Sequence, residues 1–338
     1  MELVKPRATT AHPEMSTGRG SSLPTGGEKR SPPTADGLAQ SVPVFTYHNA
    51  LLGELTKDLR FLADNGYATV LASEVVDILH RRRPAPLLVV ALTFDDALRS
   101  VREVALPLLQ QYGMRATIFA ITGFTPERAG PAAARSAASG EVLAWSELQM
   151  LAESGIFEVG SHGHRHNPVH VSGRSGRSLR LAGYRRSYDA PVPYGPDCGP
   201  EAVLAAEGKP ERPSAPLFAA KHLFVDGKLV DAERFIRADL DASRQALQQH
   251  LGIERAHLCP PYGAGNRALP RLARDCGFES IFWTRQKDRK HNRPGDDPYG
   301  IVRRKADFLR RLPGRGRRSL AELFLYKTVR RLRRDPFE

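Results

Sequence analysis

The sequence predicts an α/β protein built on a parallel sheet, and two patterns support that fold class. The first is the stretch 87–94, which is apolar apart from Thr93 and lacks period-two alternation. Such a run is typical of a strand that is covered on both faces. The second is the alternation of short apolar runs with helical patterns along the chain. With right-handed crossovers, this alternation closes either into a barrel or into a doubly wound sheet.

The individual elements follow from periodicity, caps and breakers. The predicted strands begin at 42, 68, 87, 115, 157, 278 and 299. The predicted helices cover 51–65, 73–82, 96–112, 146–155, 231–252 and 266–277. Ser73 and Asn266 are predicted N-caps, and Ser146 with Gln149 is a predicted capping box. Pro107 should kink the third helix or stand near a first turn.

The chain divides into four predicted segments. Residues 1–40 are rich in Pro, Gly, Ser and Thr, which predicts disorder. Residues 41–310 form one predicted domain, interrupted by a long insertion over 167–230, and residues 311–338 form a basic helical tail. The aromatic side chains of the insertion either stack on sugar rings or pin the loop to the core. They are Tyr184, Tyr188, Tyr194, Phe218 and Phe224.

Two carboxylates, Asp95 and Asp96, end the central apolar run. The carboxyl ends of the strands carry the chemistry in parallel α/β architectures, so acids placed there suit metal binding and general-base work. Acids at this position also stabilise the start of a helix, and for an isolated pair that interpretation would be the better one.

Three histidines, His162, His164 and His166, stand at alternate positions after another apolar run. On a turn of helix, His162 and His166 would share a face and lie close enough to bind one metal ion. A solvated histidine-rich loop is the alternative. Together with a strand-terminal Asp pair, they supply two histidines and one carboxylate, a set that leaves positions open on Zn²⁺ or another divalent metal.

A third stretch, 257–266, contains two prolines that fix the backbone, and Gly263, which permits a tight turn. The order of the three stretches resembles the polysaccharide deacetylase family, carbohydrate esterase family 4, whose core is the NodB homology domain. TFDD at 93–96 is similar to its first motif, 162–166 to its His-x-x-x-His second motif, and PPYG at 260–263 to its third. The resemblance covers about 41–310.

The resemblance implies a fold and a set of roles. The fold is a distorted, NodB-like (β/α) barrel of about seven strands with a long loop insertion. Asp96, His162 and His166 would hold the metal, and Asp95 would be the general base. The backbone amide of Tyr262 would help to stabilise the tetrahedral oxyanion.

The resemblance also implies that His48, Pro261 and Tyr262 contact substrate. Tyr47 and His48 match a Tyr-His pair at the first strand end, where the histidine either touches substrate or hydrogen-bonds a loop. The late Leu-x-His motif that usually supplies the proton donor is not visible. That role is therefore unassigned, with His48 and His164 as candidates.

Four positions depart from the family pattern or bear on it. Ala97 replaces the usual Gly after the Asp pair, and Gly163 replaces a Ser or Thr that normally supports the metal loop. Cys259 stands where many members have an Arg that holds the catalytic Asp. Arg303, near the last predicted strand, is a candidate substitute for that Arg.

Composition bounds the protein class. The 338 residues suffice for one α/β domain of roughly 250 residues plus extensions. The three cysteines, Cys198, Cys259 and Cys276, lie in no CxxC, so reduced thiols and no thiolate metal site are expected. No stretch approaches the roughly 20 apolar residues of a membrane span. Residues 1–40 lack the apolar segment of a secretory signal. We therefore expect a cytoplasmic protein, unless the natural start differs.

The tail concentrates the positive charge of the chain. From Arg303 onward, thirteen Lys or Arg face four acids, which contributes +9 of the formal net charge of +13. A basic amphipathic helix can lie on an anionic membrane surface, here the inner face, or it can be solvated and packed on the barrel. No aromatic and basic pattern of a known nucleic-acid module is present, so no nucleic-acid partner is expected.

The leading hypothesis is a metal-dependent hydrolase that removes N-acetyl groups from an amino-sugar polysaccharide or a lipid-linked glycan. A second hypothesis is another amidase on the same scaffold, such as a deformylase or a small-molecule amidohydrolase. A third is a catalytically inactive carbohydrate-binding homologue, which the missing proton donor would suit.

Overall fold

The computed structural model describes residues 41–128, 142–171, 213–284 and 289–332. The predictions for residues 1–40, and for Tyr184, Tyr188, Tyr194 and Cys198, lie outside these ranges. The strands are β1 (Val44–Tyr47), β2 (Ala68–Val70), β3 (Val89–Asp95), β4 (Ala116–Ala120), β5 (Phe157–Ser161), β6 (Val169–His170), β7 (Ser214–Ala215), β8 (His222–Val225), β9 (Lys228–Asp231), β10 (Ala256–Leu258), β11 (Phe278–Trp283) and β12 (Ile301–Lys305). The helices are α1 (Leu52–Asp64), α2 (Ala72–Leu79), α3 (Leu106–Tyr112), α4 (Trp145–Glu153), α5 (Glu233–Leu251), α6 (Leu269–Asp275) and α7 (Leu320–Leu332).

Seven parallel strands close into a barrel. Their order is β1-β12-β11-β10-β5-β4-β3, and β3 pairs with β1 to complete the ring. The short strand β2 also pairs with β3. All seven residues of β3 are buried, as its unbroken apolar pattern predicts. The predicted (β/α) barrel of about seven strands is therefore confirmed, and its carboxyl edge carries Asp95.

The helix after β3 starts later than predicted. Asp96 and Ala97 have positive φ values of 70° and 55°, and this left-handed conformation cannot begin a right-handed helix. A π-helical turn over Val101–Ala105 leads into α3, where Pro107 stands in the first turn. Gly113 ends α3 with φ 61°, as predicted.

Two of the predicted caps are wrong. Helix α2 begins at Ala72, and Ser73 instead donates from its amide and its hydroxyl to the Glu158 carboxylate. Helix α4 begins at Trp145, so Ser146 lies inside the helix, and the Ala144 amide donates to Glu147. In both places a glutamate decides the local structure. Asn266 is confirmed as a cap, because its side-chain oxygen accepts from the Ala268 and Leu269 amides.

The described ends of the insertion form two small antiparallel sheets. Strand β6 pairs with β7, and β8 pairs with β9. Phe218 is 2% exposed and belongs to the core, whereas Phe224 is partly buried. Phe218 therefore pins the loop to the barrel and is not available to stack on a sugar.

The start of the tail packs on α1 and on the segment that follows it. Arg310 and Arg318 lie 2.6 and 3.6 Å from the Glu54 carboxylate on α1, and the Tyr67 hydroxyl donates to the Pro313 carbonyl. These contacts continue past residue 310, where the predicted domain ends. In α7, Leu323 is buried while Phe324 is 66% exposed. Within the described ranges, no helix combines the length and the apolar character needed to cross a membrane.

Candidate active site at the carboxyl edge of the barrel

The two acids that end β3 are separated by the backbone conformation between them. Asp95 is the last residue of the extended strand, and Asp96 follows with φ 70°. Consecutive side chains that differ in this way point to different neighbours. Both are almost fully buried, at 3% and 2% exposed. Buried carboxylates need charged partners or ligands, and each of these has a different set.

Asp96 faces two histidines. Its Oδ1 lies 3.4 Å from His162 Nε2 and 3.7 Å from His166 Nε2. One ligand atom from each of the three side chains lies within 4.8 Å of the others, and all three are buried. One carboxylate oxygen and two imidazole nitrogens suit Zn²⁺, and three protein ligands leave room for water and substrate. The residues present therefore fit a divalent metal ion.

The environment of His162 prepares it as a ligand. Its Nδ1 lies 2.7 Å from the Cys259 carbonyl oxygen, which can only accept, so Nδ1 carries the proton. That tautomer leaves the Nε2 lone pair facing Asp96. Burial lowers the pKa of His162 to about 4, against the opposing effect of Asp95 and Asp96. His162 is therefore neutral near pH 7.

The segment that carries the histidines is a bent loop and not the helical turn predicted from the i, i+4 spacing. Gly163 has φ 80°, and its amide donates to the Ser161 hydroxyl. The carboxylate of Asp239, on α5, accepts from the backbone amides of His164 and Arg165 at 2.9 Å each. A Cβ on Gly163 would lie 3.4 Å from Asp239 Oδ1 and 3.3 Å from the Arg165 carbonyl oxygen. Glycine thus permits the left-handed turn, and Asp239 holds it.

Asp95 is held by a buried arginine. Arg303 Nη1 lies 2.6 Å from Asp95 Oδ1 and Nη2 lies 2.9 Å from Oδ2. The Thr46 hydroxyl donates to Oδ2 at 3.3 Å. Burial acts to raise the pKa of Asp95, but Arg303 and His162 outweigh it and hold the pKa well below its ordinary value. Arg303 therefore holds Asp95 in place of the arginine that is missing at Cys259, as the sequence suggested.

A second group of potential ligands, Asp95, His162 and Cys259, also lies within the same distance limit. It is the poorer metal site for two reasons. Arg303 already occupies both oxygens of Asp95. Burial raises the pKa of the Cys259 thiol well above its usual value, whereas only the thiolate is a strong ligand.

The third motif lies beside the histidines. Pro261–Gly263 form a short 3-10 turn in which Tyr262 has φ 59°. The Tyr262 ring is 41% exposed, and its centroid lies 4.6 Å from that of His166. Pro261 is buried. Of the predicted substrate-binding residues in this motif, Tyr262 is accessible and Pro261 supports the turn.

The two candidate proton donors differ in their surroundings. His48 is exposed and follows β1, whose register pairs Tyr47 with Phe94, so His48 stands at the level of Asp95. It is also one of the charges that lower the pKa of Asp95. The His164 Nδ1 instead lies 3.0 Å from the Thr122 hydroxyl, and burial and Arg165 lower its pKa.

Asp239 is the functional residue that the sequence interpretation missed. It lies 75 positions from the loop that it holds, and no local pattern encodes that contact. A signal was present on α5, since Asp239 and Ser243 interrupt the stripe that contains Ile236, Leu240 and Leu247. A buried acid on an apolar stripe indicates a specific partner.

Comparison with known proteins bears on the three motifs. The polysaccharide deacetylase family model matches residues 82–188. This segment contains TFDD and the histidine loop and ends before PPYG. The predicted resemblance to the family is confirmed.

A curated relative supports the same family. It is the protein YxkH of Bacillus subtilis (strain 168), provisionally named a polysaccharide deacetylase, which is 33% identical over 88 residues. The match covers 24% of this chain and 32% of the relative, so the chain spans about a third of the length of that protein.

Solved structures support the fold. IcaB from Ammonifex degensii has a TM-score of 0.55 at 23% identity, over 80% of this chain and 94% of that one. The BpsB deacetylase domain of Bordetella bronchiseptica has a TM-score of 0.57 at 18% identity, over 79% and 96% of the two chains. A de-N-acetylase of Aggregatibacter actinomycetemcomitans has a TM-score of 0.57 at 16% identity, over 84% and 99%. The barrel is therefore shared with deacetylases.

Proposed function

We propose that the protein is a metal-dependent hydrolase that removes N-acetyl groups from an amino-sugar polysaccharide or a lipid-linked glycan. The observation that supports this most is the buried set of Asp96, His162 and His166 beside an arginine-held Asp95. A metal site next to a separate, ionised carboxylate is an arrangement that suits metal-assisted hydrolysis of an amide. The family match and the shared barrel are consistent with it.

Asp96, His162 and His166 would hold the ion. When bound, a divalent ion polarises the amide carbonyl and lowers the pKa of a coordinated water. The chain contributes the geometry, because the Cys259 carbonyl fixes the His162 tautomer and Asp239 fixes the loop between the two histidines. Such outer contacts orient the ligands and tune their affinity for the metal.

Asp95 would act as the general base. It remains ionised because Arg303 donates to both of its oxygens, and it would accept the proton of the attacking water. The same bidentate contact fixes the carboxylate in one orientation, which lowers the entropic cost of proton transfer.

The leaving amine needs a proton, and His48 is the better of the two candidates. It is exposed at the level of Asp95, whereas His164 is held by Thr122. The backbone amide of Tyr262 would stabilise the developing oxyanion, and the exposed Tyr262 ring offers an aromatic face to a sugar.

Acetate release from acetylated chito-oligosaccharides, measured on protein loaded with zinc, tests the proposal. The wild type should turn over, and Asp95→Asn should keep its zinc and lose nearly all activity, because the change removes the base and no ligand. Asp96→Asn should lose both zinc and activity.

Two other outcomes would replace the proposal. Turnover of small formyl or ring amides without any release from the oligosaccharides would indicate an amidase of small molecules. Zinc binding with oligosaccharide affinity and no release would indicate an inactive carbohydrate-binding homologue.

A further inference from the structure

A basic cavity of about 350 Å³ lies beside the amino end of β1. It is bounded by the start of β1, the chain leading into β12, and the segment before α7. Among the residues that the structure describes, the cavity is lined by no acidic side chain and by five cationic ones: Lys290, Arg293, Arg304, Arg311 and Arg317. A concave site with this charge balance selects an anionic group.

The cavity is distinct from the candidate active site, although both use β12. Consecutive side chains of a strand point to opposite faces. Arg303 is 3% exposed and holds Asp95, whereas the next residue, Arg304, is exposed and lines the cavity. A ligand in the cavity would therefore contact the outer face of the strand whose inner face supports Asp95.

The charge of the cavity is not neutralised by ion pairs within the described residues. In the described parts of the chain, none of the five cations forms an ion pair, whereas the nearby Asp307 is paired with Lys327 at 3.4 Å. His291, also at the cavity, has its pKa lowered by burial and by Arg304, Arg293 and Lys290. The side chains thus repel one another and favour a bound anion.

An exposed apolar helix adjoins the cavity. Phe308 lines the cavity, and Lys327 of α7 lies 4.3 Å from the centre of its ring. On α7, Leu320 is 53% exposed, and Phe324 and Leu325 are each 66% exposed. Large apolar side chains in this number are rarely left in water on one short helix.

Cationic and exposed apolar groups side by side are the pattern of a surface that lies in a membrane interface. We propose that the cavity and the outer face of α7 form a docking surface for an anionic phospholipid membrane. The cavity receives a phosphate-bearing headgroup, and Leu320, Phe324 and Leu325 enter the acyl boundary. The cations lie within one screening length of about 8 Å of such a surface, so binding weakens as salt is added.

Co-sedimentation of the full chain with phosphatidylglycerol-containing vesicles and with pure phosphatidylcholine vesicles tests this. The wild type should sediment with the anionic vesicles alone, and less as salt rises. Lys290→Gln/Arg293→Gln/Arg317→Gln should weaken binding about 100-fold, since each basic residue near an anionic surface contributes about a factor of five. Leu320→Ser/Phe324→Ser/Leu325→Ser should also reduce sedimentation. If the triple cavity variant does not fold, Arg317→Gln alone should weaken binding about fivefold.

A variant of equal charge provides the matched control. Lys221→Gln/Lys228→Gln/Arg267→Gln removes three exposed cations that do not line the cavity, and its vesicle binding should stay within about twofold of the wild type. Equal weakening by this control would mean that only net charge matters, and would overturn the proposal. Saturable binding of inorganic phosphate without vesicle binding would also overturn it, because the cavity would then serve a soluble phosphate.

Discussion

Replacing Arg303 by leucine should leave Asp95 buried without its cationic partner. Both side chains of this pair are at most 4% exposed, and two hydrogen bonds of 2.6 and 2.9 Å join them. Truncation of one member of a buried ion pair costs about 3–5 kcal/mol, because the remaining charge stays desolvated. We therefore expect Arg303→Leu to lower the free energy of unfolding at neutral pH by about that amount.

The loss should depend on pH with a definite sign. In the wild type, the pKa of Asp95 lies below its unfolded value, so ionised Asp95 stabilises the fold above about pH 4. That contribution is lost as the pH falls through the folded pKa. In Arg303→Leu, burial raises the pKa of Asp95, and protonation relieves the unpaired charge. The deficit should be largest near pH 7 and should shrink as the pH falls toward about 4.

Urea unfolding at the two pH values measures this. Arg304→Leu, on the exposed face of the same strand, is the matched control and should change stability by less than about 0.5 kcal/mol. Asp95→Asn/Arg303→Leu should recover part of the loss, since the buried charge is then absent. The reasoning is refuted if Arg303→Leu costs less than about 1 kcal/mol, or if the double variant is as unstable as the single one.

Three further outcomes are expected. Asp239→Asn should weaken zinc binding about 10- to 100-fold in a calorimetric titration, because Asp239 orients the histidine loop without being a ligand; unchanged affinity would contradict this. Burial raises the pKa of Asp58 to about 7 despite Arg310. The folded state therefore binds an extra proton in this range, and the free energy of unfolding should fall as the pH rises from about 4 to about 7. Asp58→Asn should flatten that decline, and an unaltered pH slope in urea unfolding would count against it. Ala97→Gly should raise the free energy of unfolding by about 1 kcal/mol, because alanine at φ 55° is strained; a lower melting temperature would exclude strain at this position.

Six of the seven barrel strands were predictable from sequence because local apolar patterns mark them, whereas β10 was not among the predicted strands. The buried run before Asp95 is continuous, and Gly113 and Gly252 mark the ends of their helices with left-handed φ values. The caps were less predictable. The Ser73 amide and hydroxyl find Glu158, which is 85 positions away, and a tertiary partner of this kind overrides the local preference.

The candidate site shows the same division. The i, i+4 spacing of His162 and His166 identified a pair that does meet, although a glycine bend and not a helix brings them together. Arg303 could be suggested because the expected arginine was missing at Cys259 and a basic residue lay near the last strand. Asp239 could not be placed, since only the packing of α5 against the end of β5 brings it under the loop.

The central claim is that Asp96, His162 and His166 bind one divalent metal ion. Metal content of the purified protein, measured by mass spectrometry after dialysis against zinc, tests it most directly. We expect about one ion per chain in the wild type and its loss in His162→Ala and His166→Ala, because each removes one of three ligands. His164→Ala is the matched control, since its ring contacts Thr122, and it should keep the ion. Full metal content in both ligand variants, or its loss in His164→Ala alone, would contradict the account.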